Sequence, residues 1–121
     1  MNLTHIAALS LAVPTLVQLA LAEPVRAQDR RLDGAGVTLA LTDRTLVYDD
    51  GASQIFTAGG ATTYDSGTPS QGRWSVREDR YCSVWPPSDR WACYDLTLSD
   101  DGQIVTFVAD DGSTTAGRYA Q

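Results

Sequence analysis

From residue 44 onward the chain is cut into short apolar runs by Asp-Gly and Gly-Gly turns, and this punctuation constrains the fold more than any other feature. The runs cover 44–49, 52–58, 61–65, 73–78, 81–86, 90–99, 103–109 and 113–119. Between them lie Asp49-Asp50-Gly51, Gly59-Gly60, the stretch 66–72, Asp79-Arg80, the stretch 86–89, Asp100-Asp101-Gly102 and Asp110-Asp111-Gly112. Asp-Gly and Gly-Gly supply the positive φ that tight hairpins require, and Asp closes its own turn through its side chain. Eight strands joined by such loops predict a mainly β fold, an antiparallel meander. Tyr94, Leu96 and Leu98 share one face of their run, as do Val105, Phe107 and Ala109 on the next, while Ile104 and Val108 point the other way. Exposed strand edges invite aggregation, so the meander is expected to curl into a small barrel or half-barrel, lipocalin-like in style.

The segment before the first strand admits two readings. Asp33 is placed to cap a short helix over residues 34–42 that plugs one end of the barrel, although Gly34 and Gly36 each cost about 1 kcal/mol of helix stability. Val37, Leu39 and Leu41 alternate as a strand would. The cap favours the helix.

The stretch RYCSVWPPSDRWACYD, residues 80–95, concentrates the rare residue types. If 86–89 is a four-residue hairpin loop, Cys82 faces Cys93, Tyr81 faces Tyr94, Arg80 faces Asp95 and Trp85 faces Arg90. Opposed residues of an antiparallel ladder have Cα atoms about 4.5 to 5.5 Å apart, within reach of a disulfide. Such a bond stabilises by on the order of 3 kcal/mol, mainly through the unfolded chain. A catalytic cysteine would need a base, and a zinc site two further soft ligands; neither is at hand. The tip formed by Trp85, Pro86, Pro87, Arg90 and Trp91 has two readings. One makes it a preorganised aromatic anchor for a partner, since Trp and Arg are enriched at binding hot spots. The other makes it structural, with Arg90 stacked on Trp85 and the indoles capping the barrel.

Residues 6–22, IAALSLAVPTLVQLALA, form an uncharged apolar run followed by AEPVRAQ. That is the layout of a secretory signal, with cleavage after Ala27 favoured over Ala22; the lack of Lys or Arg in MNLTH departs from it. The alternatives are a buried helix or an uncleaved anchor, for which the run is short and interrupted by Pro14 and Gln18. The expected organisation is a signal peptide over 1–27, a flexible leader over 28–31 and one β domain over 32–121. Export suits a cysteine pair, and a domain of this size gains from a covalent tie.

Beyond residue 27, eight Arg stand against fourteen acids, a net charge of −6, with no Lys and no His. An acidic surface disfavours nucleic acid and anionic lipid. Ser and Thr have no His or Lys to activate them, and Glu78 is the only Glu left to pair with an Asp for glycoside hydrolysis. The Asp-Asp-Gly triplets read as turns rather than calcium ligands, because calcium needs six to eight converging oxygens. No metal, cofactor or catalytic residue is expected.

The order GRW (72–74), RYC (80–82), WPPSDRWACYD (85–95), IVTFV (104–108) and GRY (117–119) resembles a group of small exported proteins of alphaproteobacteria to which no activity is assigned. Their pattern is a Gly-x-Trp, a cysteine pair and a closing Gly-x-Tyr. The resemblance implies a periplasmic or secreted location. In fold style alone, the chain is similar to periplasmic β-barrel inhibitors of proteases or lysozymes. The expected function is a non-enzymatic binding module for a protein or small ligand; the alternative is an inhibitor of a hydrolase.

Overall fold

The structure, a computed structural model, describes residues 29–121 and, before them, Ala12 alone. The signal segment expected over 1–27 otherwise lies outside the described residues. A two-residue strand β1 (Arg30–Arg31) leads into helix α1 (Gly34–Leu41). Eight strands follow: β2 (Arg44–Tyr48), β3 (Ser53–Phe56), β4 (Ala61–Asp65), β5 (Pro69–Arg77), β6 (Arg80–Val84), β7 (Ala92–Leu98), β8 (Ile104–Val108) and β9 (Thr114–Tyr119). Each pairs antiparallel with the next, and β2 pairs with β9 through Leu46↔Tyr119, Val47↔Arg118 and Tyr48↔Gly117. The meander therefore closes as a full barrel rather than a half-barrel.

Three boundaries differ from the sequence reading. The stretch 66–72 is loop only as far as Thr68, since β5 begins at Pro69, opposite Asp65. Proline is tolerated at that first strand position because the N–H it lacks is not yet needed by the ladder. The turn before β6 is Glu78-Asp79, both in the left-handed region at φ 48° and 61°, as a two-residue hairpin requires. Arg30 and Arg31, read as part of a flexible leader, instead add β1 to β7 beyond the point where β6 begins, opposite Leu98 and Thr97. The Arg31 guanidinium donates to Asp95 at 3.0 Å and the Leu32 N–H donates to the Leu96 carbonyl at 2.8 Å.

The interior is filled by the inward faces of the strands. Leu46, Phe56, Leu96 and Val105 are fully enclosed, and Trp74, Tyr81, Phe107 and Tyr119 pack around them. Each such side chain contributes roughly 1.5 to 3 kcal/mol by leaving water. The phenyl ring of Phe56 meets Trp74 and Tyr81 edge-on at centroid distances of 5.8 Å, a favoured aromatic geometry.

Helix α1 stoppers one end. The Asp33 carboxylate accepts from the Gly36 N–H at 2.8 Å, as an N-cap does. Asp79, on the tight hairpin, accepts from the Gly34 N–H at 2.7 Å. Val37 and Leu41 are driven into the core against β2, β5 and β6. At the other end of the helix, the Tyr119 hydroxyl donates to the Ala40 carbonyl at 2.6 Å, tying the last strand to the plug.

The Asp-Gly turns behave as their chemistry requires. Gly51, Gly102 and Gly112 adopt positive φ. Asp101 accepts from the Ser99 hydroxyl at 2.6 Å and the Gln103 N–H at 3.0 Å; Asp111 accepts from the Ser113 hydroxyl at 2.6 Å and N–H at 2.9 Å. These bonds, the hydroxyl first, hold both carboxyls below the ordinary value of 3.8.

Tyr119→Phe leaves the buried Ala40 carbonyl unpartnered, and urea denaturation should show a loss of about 1 to 2 kcal/mol; an unchanged midpoint would mean the plug does not depend on that bond. Carboxyls with lowered folded values stabilise fully above their unfolded value and lose that contribution as pH falls through the folded one. The urea midpoint should thus drop as pH is lowered below about 4, and the double variant Asp101→Asn, Asp111→Asn should show a shallower drop.

Candidate functional site

Because the strands alternate in direction, the turns after β2, β4, β6 and β8 gather at the end away from α1. Here the barrel stays open. A cavity of about 520 Å³ sinks between the strand ends, lined by Tyr48 (β2), Tyr64 (β4), Trp85 (just after β6), Tyr94 (β7) and Phe107 (β8). The rings form a continuous arc round the wall. Trp85 meets Tyr64 at 6.5 Å between centroids, Tyr64 meets Tyr48 at 6.0 Å, Tyr48 meets Phe107 at 6.4 Å and Phe107 meets Tyr94 at 6.4 Å.

Beneath the arc lies a polar floor. The Tyr48 hydroxyl donates to Gln54 Oε1 at 2.6 Å, and the Gln54 amide donates to Thr62 Oγ1 at 2.9 Å and to the Tyr81 hydroxyl oxygen at 3.3 Å. Gln54, Thr62, Tyr81 and Ser83 are all buried. Burying such groups is costly unless they are hydrogen-bonded, and none of the buried side-chain polar atoms among the described residues lacks a partner. Burial, with the nearby Tyr81 and Tyr64 phenols adding to it, pushes Tyr48 far above its ordinary value of 10.0. Burial likewise raises Tyr81, against the opposing hydrogen bonds of Ser83 and Gln54. Both phenols are therefore neutral hydrogen-bonding groups at physiological pH. Asp49 and Asp50 stand at the rim, while no Arg lines the cavity.

The segment read from sequence as a hairpin tip divides between this mouth and the outer surface. Its upper ladder is as expected: Tyr81↔Tyr94 and Cys82↔Cys93 are paired, the two sulfurs are bonded, and Arg80 Nε donates to Asp95 at 3.1 Å. The loop is longer than four residues, because the ladder ends at Ser83↔Ala92 and residues 85–91 lie outside strands. Trp85 and Arg90 are consequently not a cross-strand pair. Trp85 instead turns inward over Gly72, where an added Cβ would lie 2.6 Å from the indole, and its Nε1–H donates to Ser83 Oγ at 3.3 Å. Pro86 lines a second depression of about 540 Å³ with Ser70 and Gln71, which shares Tyr64 and Trp85 with the mouth. Pro87 and Arg90 are exposed. Trp91 points outward, 37% exposed, with the Arg77 guanidinium 4.0 Å over its ring. The expected cation–π contact thus exists with a different pair.

Tyr48, Gln54, Tyr64, Ser83, Tyr94 and Phe107 were not singled out as site residues by the sequence reading. A signal for three of them was present: alternate strands end in, or one residue from, an aromatic, at Tyr48, Tyr64 and Phe107, as at Trp85, and in a meander those ends gather at one end of the sheet. Compared with family models, curated proteins and solved structures, the chain matches none.

The seat of Trp85 is testable. Gly72→Ala places a methyl group inside the indole ring contact and must displace it. Destabilisation by about 1 to 3 kcal/mol and a red-shifted tryptophan emission are expected. Wild-type emission and stability would show that the indole does not rest on Gly72.

Proposed function

We propose that the protein is an exported, non-enzymatic barrel that binds a small molecule in its open mouth. The observation that carries this reading is the asymmetry of the two ends: α1 fills one with Val37 and Leu41, whereas the other keeps an aromatic-walled cavity of about 520 Å³ above a polar floor. Ligand sites in proteins are concave, mostly apolar and furnished with a few fixed polar groups, and barrel mouths are a common place for them. The chemistry of the lining supports binding over catalysis. Its buried phenols are poor proton acceptors, and its carboxylates sit at the rim rather than facing one another across the cavity. Export is supported by the Cys82–Cys93 bond, which an oxidising compartment favours. Among the described residues no helix is long and apolar enough to cross a membrane.

A second reading, contact with a protein such as a hydrolase, is favoured by one observation: residues 86–91 are exposed, with Arg90 and Trp91 on the outer side. The two readings use different sides of the same loop.

N-phenyl-1-naphthylamine, a neutral fluorophore that brightens in apolar surroundings, separates them. Saturable enhancement at one site per chain is expected, abolished by Thr115→Trp, which fills the mouth from an exposed position on β9, and untouched by Trp91→Ala. Enhancement that survives Thr115→Trp would remove the mouth as the binding site.

A further inference from the structure

The lining of the mouth narrows the class of ligand, granted the reading that the mouth binds one. Five aromatic side chains, contributed from four of the strands and the loop after β6, enclose it in an arc whose neighbouring centroids lie 6.0 to 6.5 Å apart. Aromatic faces carry negative potential, and a cation within about 6 Å of a ring centroid is attracted to it, most strongly where water is excluded. Two carboxylates, Asp49 and Asp50, stand where a ligand enters. Asp50 is held in place by accepting from the Ala52 N–H at 2.9 Å. The loops at this end also carry Asp89 and Asp111, whereas Asp110 there is neutralised by Arg80 at 2.7 Å, and Arg90 is the only base in the loops themselves. The cavity wall itself bears no base, and its only charged groups are the two rim carboxylates, so the formal charge of the site has one sign.

We infer that the mouth is an aromatic cage for a small organic cation with an apolar shell, such as an alkylated or quaternary ammonium group. The alkyl groups would rest on the rings of Tyr48, Tyr64, Trp85 and Tyr94, and any hydroxyl or carbonyl on the ligand would reach the floor at Gln54 and Ser83. Anionic ligands, fatty acids and phosphate esters among them, would meet the rim carboxylates with no compensating base. A neutral ligand of the same shape would fill the cage but forgo the attraction of the rings and the rim. The net charge of −6 acts in the same direction, raising the local concentration of cations near the surface.

Choline and its neutral carbon isostere 3,3-dimethylbutan-1-ol differ only in the charged atom, and their binding can be compared by calorimetry at fixed ionic strength. The cation should bind at least about tenfold more tightly, the range a desolvated cation–π contact supplies. Replacing the cage rings one at a time, Tyr64→Leu and Trp85→Leu, should bring the ratio toward unity. The double variant Asp49→Asn, Asp50→Asn should weaken choline several-fold and leave the isostere unchanged. Circular dichroism on each variant establishes that the barrel is intact, and where one ring replacement unfolds the chain the other still decides. Equal affinity for the two probes, or no choline binding while N-phenyl-1-naphthylamine still binds, overturns the cation assignment and leaves the mouth as a site. Failure of all three probes removes both.

Discussion

The pairing of β2 with β9 is the constraint on which the rest depends. Three residue pairs, from Leu46↔Tyr119 to Tyr48↔Gly117, turn an open meander into a tube, and a tube has an interior that must be filled along its length. Side chains fill it in layers. Val37 and Leu41 of the helix occupy one end, and Leu46, Phe56, Leu96 and Val105 the middle. The aromatic arc and its polar floor complete the series. If β2 and β9 were free edges, Tyr48 and Phe107 would no longer be neighbours and there would be no cavity to discuss.

Within the closed tube, two glycines decide where aromatic rings can go. Gly117 lies on the closing ladder, and a Cβ there would come within 3.1 Å of both Leu46 and Tyr48. Gly72 does the same for Trp85 on the opposite side. The Gly-x-Trp and Gly-x-Tyr pairs of the sequence thus have a shared physical meaning. The glycine gives up its side-chain volume to a neighbouring strand's aromatic, and the aromatic two residues on, Trp74 or Tyr119, faces the same interior. Each of those rings is also anchored by its polar atom, Trp74 Nε1–H to the Thr57 carbonyl at 2.9 Å and the Tyr119 hydroxyl to the Ala40 carbonyl. The disulfide stands one residue from this lining. Cys82 lies between Tyr81 and Ser83, so the bond to Cys93 fixes the relative height of β6 and β7, and with it the strand from which Trp85 is launched.

Much of this was legible in the residues, because hairpin formation is local. The Asp-Gly turns located the strands, the opposed cysteines and tyrosines set the β6–β7 register, and Asp33 announced the helix it caps. What was not legible depends on non-local stagger. Nothing near Tyr48 says that Phe107 will lie beside it; that follows only once eight strands have tilted and closed. Which of Trp85 and Trp91 packs inward could not be read, because the glycine that receives Trp85 is on another strand, and its inward turn uncouples it from Arg90. The two-residue strand β1 has no periodicity to detect, and its pairing rests on a vacant edge of β7 visible only in three dimensions. The floor residues Gln54 and Ser83 look like ordinary polar strand residues until the sheet curls and turns their face inward.

Closure is tested most directly by nuclear Overhauser contacts in the labelled protein. The account predicts cross-strand backbone contacts between Leu46 and Tyr119 and between Val47 and Arg118, as strong as those of the β3–β4 hairpin. Absence of any contact between β2 and β9, with both strands exchanging their amides as free edges do, would contradict it.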